Sequence, residues 1–353
     1  MLKIAILGAS GFIGNRTVEM LCNDGIHEVR PVVRRSASLD RLAHFDLKCH
    51  VADALNQSAL CAAFAGCDVV IHCVIGSPWF IRKTVVATYQ AAQKAQVRRL
   101  VYLSTASVHS QAPSPGTDER SPLSDCQPIA YNNAKVQAER KLLELRAKGS
   151  TEVVMLRPSI VVGPRSGWIS GFADALLDGT ACLLNEGEGI CNSIYIDNLV
   201  HAIRLAMTAP DADGQAFLLG DREEVTWADL YRPIAEALGI DWSQIPSIDC
   251  PTFTRTWKEH LLETLHNSDL VNAVLSLLPE KAISAAKGTV KKTLQQPGLS
   301  QGMALLYQCQ YKLPIQKAEK ILGYEPIVSF SEACDRTVDW LSSVGYPVVS
   351  QRQ

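Results

Sequence analysis

Apolar residues run almost unbroken through Lys3–Leu7, Glu28–Val33, Leu47–Val51, Asp68–Val74, Arg99–Thr105 and Glu152–Arg157. Runs of this length without polar alternation mark strands that are covered on both faces. Between them, Gly11–Asn23, Lys83–Ala95 and Ala130–Lys148 space their apolar residues three and four apart, as amphipathic helices do. Strand and helix alternate in this way to about residue 165. That alternation predicts βαβ units, a parallel sheet and an α/β, Rossmann-type doubly wound architecture.

Beyond Pro158 the pattern becomes mixed. Strand signals at Ser193–Ile196 and Ala216–Leu219 and helical signals at Asn198–Met207 and Trp227–Leu238 predict a smaller C-terminal α/β lobe. Residues 1–165 are therefore expected to form one domain and residues 166–353 a smaller one that holds the substrate. A stretch at about 254–296, rich in Leu, Ala and Lys and without strand signals, is expected to be a helical insertion in that lobe. Gln111–Pro128 carries Pro113, Pro115, Pro122 and Pro128 among Ser, Asp and Gly, which predicts a surface loop or lid.

Composition narrows the choices. The chain has 353 residues, 47% of them hydrophobic, enough to bury a sizeable core. Lys and Arg total 34 against 36 for Asp and Glu, a net charge of −2, so the basic excess of nucleic-acid binders is absent and no such partner is expected. The 11 cysteines form no CxxC pair or zinc-finger cluster, which points to free thiols and no metal site. Leu270–Leu278 falls short of the ~20 apolar residues of a membrane span, and the first apolar run is too short for a signal peptide. A cytoplasmic protein is the expectation.

The candidate chemistry starts where the first strand ends, at Gly8-Ala9-Ser10-Gly11-Phe12-Ile13-Gly14. Glycines between a strand and a helix allow a tight turn and bring backbone N–H groups up to a pyrophosphate at the positive end of the helix. An ordinary glycine-rich turn is the rival reading. The second strand is followed by Arg34 and Arg35, where an acidic residue would accept from the ribose hydroxyls of NAD. A guanidinium there fits a 2′-phosphate, so NADP is expected, unless both arginines are merely solvated. Asp53, after the third strand, is placed near the adenine edge or, alternatively, at the N-cap of the next helix.

Tyr131-Asn132-Asn133-Ala134-Lys135 sets a phenol and an ammonium four residues apart on one helix face. A phenol titrates near pH ~10 and becomes an acid/base at neutral pH when a cation such as Lys135 favours the phenolate. Thr105 ends the fifth strand, where ligands of open α/β sheets bind. His72, at the end of an apolar strand, is read as structural, and His109 as a substrate-facing or a loop residue.

Together these motifs resemble the extended short-chain dehydrogenase/reductases, the NAD-dependent epimerase/dehydratase superfamily. Leu156-Arg157-Pro158-Ser159 with Gly163-Pro164, and Ile194-Tyr195-Ile196-Asp197-Asn198, are similar in particular to its 3β-hydroxysteroid dehydrogenase-like branch. The resemblance implies that Thr105 is the catalytic hydroxyl, Tyr131 the proton donor or acceptor and Lys135 its electrostatic partner. It implies a cofactor site of Gly8, Ser10, Gly11, Phe12, Ile13, Gly14, Arg34, Asp53, Val74, Lys135, Pro158 and Ser159. It also implies a homodimer joined by Lys83–Ala95 and Ala130–Lys148, in which Val136, Leu142, Leu143 and Leu145 exceed a narrow stripe.

The departures matter too. Ala106 and Ser107 stand where sugar dehydratases carry Asp-Glu, and Cys191 and Asn192 stand where epimerases commonly hold an arginine on the substrate pyrophosphate. Thr84 and Ile160 each replace an asparagine. The implied function is an oxidoreductase moving hydride between NADP(H) and a carbonyl or secondary alcohol of an apolar, non-nucleotide small molecule. A nucleotide-sugar epimerase with tightly held cofactor and a non-catalytic dinucleotide sensor are the alternatives.

Overall fold

The computed structural model describes residues 1–249 and 300–349, so the expected insertion at 254–296 lies outside the described residues. Seven parallel strands form the main sheet: β1 (Lys3–Leu7), β2 (Glu28–Val33), β3 (His50–Val51), β4 (Val69–His72), β5 (Arg99–Leu103), β6 (Glu152–Pro158) and, from later in the chain, β10 (Gln215–Leu219). Their spatial order is β10-β6-β5-β4-β1-β2-β3. The order reverses between β1 and β4, and the crevice at that switch point is where doubly wound sheets bind ligands.

Alternation of buried side chains explains why these runs are strands. Ile4, Ile6, Val69, Ile71, Val101, Leu103, Val154 and Leu156 enter one core cluster. Their neighbours Ala5, Leu7, Val70, Leu100, Tyr102, Val153 and Met155 enter the other. The first face is covered by α1 (Phe12–Asn23) and α6 (Ile196–Ala206), the second by α2 (Gln57–Phe64), α3 (Pro78–Lys94) and α4 (Ala130–Arg146). Both faces of the sheet are dry, so each position on a strand selects for apolar residues.

The remaining described elements are β7 (Ile160–Val162), α5 (Gly167–Leu177), β8 (Leu183–Leu184), β9 (Ser193–Tyr195), α7 (Trp227–Ala237), β11 (Ser247–Ile248), α8 (Gln301–Tyr307), α9 (Gln316–Leu322) and α10 (Phe330–Ser343). A third core gathers Phe172, Trp227, Tyr231 and Tyr307, with Phe172 stacked on Tyr231 and Trp227 on Tyr307.

Several expected elements change. β10 and α6, read as parts of the smaller lobe, complete the main sheet instead: β10 pairs with β6 in register from Gln215↔Val154 to Leu219↔Pro158. The third strand shortens to His50–Val51, because it pairs only with Val32 and Val33 at the end of β2. The helix expected from Lys83 starts five residues earlier at Pro78, since Ser77 Oγ accepts from the Phe80 N–H and proline is favoured in a first helical turn. The fifth strand stops at Leu103, so Thr105 lies beyond it and caps a 3-10 turn at Ala106–His109.

The proline-rich loop is pinned at its middle and at its C-terminal end. Glu119 Oε1 accepts from the Leu218 N–H of β10 at 2.9 Å, and Gln127 N donates to Asn133 Oδ1 in the first turn of α4 at 2.8 Å. No helix among the described residues is long and apolar enough to cross a membrane.

Candidate active site

The glycine loop joins β1 to α1. Gly8 has a φ of +86°, a region L-residues avoid, and a Cβ added there would come within 3.0 Å of the Cys73 carbonyl and 3.3 Å of Val74 Cγ2. Val74 is thereby beside the loop. A Cβ at Gly14 would stand 2.2 Å from the Gly8 carbonyl oxygen, so glycine is what lets the helix close on the strand. No side chain caps α1 at Gly11, which leaves its first N–H groups directed at the crevice. Phe12 and Ile13 turn the other way and pack with Tyr195, Ile196, Val328 and Ala333.

Around the loop stand three cationic positions. Arg34 and Arg35 are exposed at the end of β2. Arg41, which the sequence reading passed over, lies in the 3-10 turn Ser36–Leu42 and donates to the Ser10 carbonyl at 3.0 Å. Its own carbonyl accepts from Asn15 Nδ2 at 3.1 Å. Only its charge, seven residues after Arg34, could have flagged it. Asp53 is exposed and accepts from the Leu55 N–H at 2.8 Å, while the cap of α2 is Asn56 rather than Asp53.

At the carboxyl ends of β4 and β5, α4 brings Tyr131 and Lys135 over the sheet. Thr105 hydrogen-bonds the Tyr131 phenol and draws its pKa down, but burial dominates and pushes it up to about 12. Lys135 is 2% exposed. Its ammonium donates to the Leu103 carbonyl at 2.7 Å and lies 4.8 Å from the Tyr102 ring centre and 5.9 Å from that of Tyr131. Burial lowers its pKa to about 8, with Glu139 and Cys73 opposing the shift. The phenol is thus not held low by the ammonium, as the sequence suggested. Lys135 is anchored on the strand below, and burial outweighs Thr105.

Pro158 ends β6, buried. Ser159 donates to the Leu219 carbonyl through both its N–H, at 3.0 Å, and its hydroxyl, at 2.8 Å, so the hydroxyl ties β6 to β10. Behind the site a buried ion pair joins Arg157 and Glu139, 2.6 Å apart at Nη2 and Oε2. Arg157 Nη1 also donates to His109 Nε2 at 2.9 Å, and burial lowers the His109 pKa to about 4. His109 therefore braces this pair. Thr84 is fully buried and donates to the Ile81 carbonyl, and Asn192 braces the chain after α8, donating to the Tyr311 carbonyl and accepting from the Leu313 N–H.

A glycine-turned strand–helix junction at the switch point, together with a half-buried tyrosine and a buried lysine four residues apart on α4, defines an extended short-chain dehydrogenase/reductase, an oxidoreductase working with a nicotinamide dinucleotide. The chain belongs to the NAD-dependent epimerase/dehydratase family, whose family model matches residues 4–220. It is similar to the decarboxylating sterol-4-α-carboxylate 3-dehydrogenase of Mus musculus, 25% identical over 95% of this chain and 90% of that protein. It is also similar to UDP-glucose 4-epimerase of Vibrio cholerae, 27% identical over 69% of this chain and 78% of that protein. Among solved structures it shares its fold with dTDP-glucose 4,6-dehydratase of Bacillus anthracis in complex with NAD: TM-score 0.70 and 17% identity, covering 97% of each chain.

Proposed function

We propose that the protein is an NADP(H)-dependent oxidoreductase that interconverts a carbonyl and a secondary alcohol on an apolar, non-nucleotide small molecule. The observation that carries this reading is the group formed by buried Lys135 and half-buried Tyr131 and Thr105 at the carboxyl ends of β4 and β5, with Thr105 hydrogen-bonded to the Tyr131 phenol. The loop residues Gly8, Ser10, Gly11, Phe12, Ile13 and Gly14, with Val74, Pro158, Ser159 and Lys135, hold the dinucleotide, and Asp53 borders its adenine. Arg34 and Arg41 take the 2′-phosphate. When bound, the cofactor supplies or accepts the hydride.

The chain's own groups handle the oxygen. Thr105 fixes the substrate oxygen by a hydrogen bond, and Tyr131 gives that oxygen its proton in reduction or takes it in oxidation. Lys135 holds positive charge beside the phenol and the nicotinamide ribose. The elements around the third core, α5, α7, α8 and α10, close over the substrate, and two copies pair through α3 and α4.

Apolar surface at the crevice supports the substrate class. Ile75 is 70% exposed just after β4, beside half-buried Trp79 and Phe80. Two relatives, the sterol-4-α-carboxylate 3-dehydrogenase and a 3β-hydroxysteroid dehydrogenase/isomerase of Mycobacterium tuberculosis, are named for sterol or steroid substrates, which suits such a surface. The likeness to UDP-glucose 4-epimerase favours a second reading, epimerisation with a retained cofactor. Against it, Asn192 stands where a pyrophosphate-binding arginine would be needed, and its amide is already engaged.

The test is turnover with NADPH or NADP⁺ against 3-ketosteroids, 3β-hydroxysterols, long-chain 3-oxoacids and UDP-glucose. Turnover of one of the first three supports the proposal. Activity confined to UDP-glucose, with a dinucleotide that co-purifies, replaces it with the epimerase.

A further inference from the structure

Beneath Lys135 lies a small polar patch that the proposed chemistry does not use. His72 of β4 and Tyr102 of β5 are register partners in the sheet, with ring centres 5.3 Å apart. Both are buried, at 2% and 1% exposure, on the face covered by α3 and α4. Neither ring nitrogen of His72 nor the Tyr102 hydroxyl has a hydrogen-bond partner among the described residues. Burying unpaired polar atoms costs stability, and an aliphatic or phenyl side chain would fill the same space without that cost. Their neighbour is the Lys135 ammonium, 4.8 Å above the Tyr102 ring.

We infer that His72 and Tyr102 are positioning residues for Lys135, an uncharged polar floor that holds the ammonium in place and keeps it protonated. The face of an aromatic ring carries the negative part of its quadrupole, and a neutral imidazole offers one nitrogen lone pair. Both oppose the loss of hydration that drives Lys135 toward its neutral form. His72 can do this only while uncharged, and burial together with the nearby ammonium keeps it so, lowering its pKa to about 3.

The other groups facing Lys135 are accounted for. Glu139 on its own helix and Cys73 after β4 favour the charged form. Tyr131 lies on the same helix, 5.9 Å away, and Leu103 offers its carbonyl from β5. The buried polar residues of α3 that pack against α4 are Thr84, Thr88 and Tyr89; the first two are uncharged, and Tyr89 donates its hydroxyl to the Thr151 carbonyl.

The inference rests on the assignment of Lys135 to the active site, and the experiment separates the two. The protonation of Lys135 is followed by NMR of protein labelled at lysine side chains, without substrate, with Lys135→Met identifying the resonance. In His72→Leu and in Tyr102→Leu the midpoint is expected to fall by about 0.5–1 pH unit. His72→Gln, which keeps a neutral acceptor, is expected to restore most of the shift. Tyr102→Leu serves if His72→Leu does not fold. Midpoints within 0.2 unit of wild type in both leucine variants overturn the inference. Undiminished turnover in Lys135→Met instead overturns the active-site assignment, whatever the midpoints do.

Discussion

Gly14→Ala isolates what the glycine loop demands of the backbone. The new Cβ would lie 2.2 Å from the Gly8 carbonyl oxygen, 2.9 Å from its carbon and 3.0 Å from Ala9 Cα, where ordinary contact begins at 3.4 Å. All three atoms are main chain. The Gly8 N–H is held by the Val32 carbonyl at 3.0 Å, and the Gly8 carbonyl by the Gly11 N–H at 3.0 Å, so the loop cannot swing away without breaking the link to β2. Overpacking of this kind costs about 1–3 kcal/mol, and a backbone obstacle places it at the upper end. The melting temperature should fall by roughly 4–6 °C in calorimetry without nucleotide, with dinucleotide binding weakened as well. Gly11→Ala is the control. Its Cβ would meet the Gly8 oxygen at 3.3 Å, and its φ of −77° suits any residue, so melting should change by no more than about 1 °C. The added methyl would still stand where the backbone approaches a pyrophosphate, and binding should weaken about tenfold. Equal melting losses in the two variants, or none in Gly14→Ala, would refute the reasoning.

Arg34→Ala and Arg41→Ala should each weaken NADPH about tenfold or more and leave NADH unchanged in calorimetric titration, because a charged hydrogen bond contributes about 1.5–3 kcal/mol; equal losses for both nucleotides would remove the 2′-phosphate assignment. His72 and His109 are bases whose folded pKa values, about 3 and about 4, lie below the 6.5 of an unperturbed histidine. The unfolded chain therefore takes up protons first as pH falls, so stability is complete above pH 6.5 and erodes between 6.5 and 4 by up to about 1.4 kcal/mol per pH unit for each histidine. Denaturant midpoints from pH 7.5 to 5 should show this slope, and His109→Gln should remove about half of it, leaving the His72 contribution. Light scattering should give the mass of a dimer at micromolar protein, and Leu143→Glu on the exposed face of α4, where Leu143 is 41% exposed, should shift it toward monomer; a monomer in the wild type sinks the pairing.

The six strands of the first 165 residues were legible because both faces of the sheet are buried, which leaves an apolar residue at nearly every position. β10 was misassigned for a related reason. Its pairing with β6 joins positions about 60 residues apart, and nothing local in Gln215–Leu219 tells a main-sheet edge strand from one in a small lobe. The missed start of α3 was in the sequence as Ser77-Pro78, a cap signal that the apolar spacing from Lys83 onward overshadowed. In the site, the four-residue spacing set Tyr131 and Lys135 on one helix face and the family resemblance added Thr105, but the anchor of Lys135 is a backbone carbonyl 32 residues earlier and leaves no side-chain trace. Two of the four apolar residues expected at a dimer face lie inside the protomer. Val136 and Leu142 are fully buried within the protomer, Leu142 in the core shared with the sheet and α3, so their excess over a narrow stripe reflects packing inside one copy.

The most direct test of the account is a comparison of Tyr131→Phe with wild type, using the apolar ketone or alcohol that turns over. Tyr131 is assigned the proton of the substrate oxygen and nothing in cofactor binding, so single-turnover hydride transfer should fall by about 10²–10⁴-fold while the NADPH dissociation constant stays within about threefold. Hydride transfer at the wild-type rate in Tyr131→Phe would contradict the central claim.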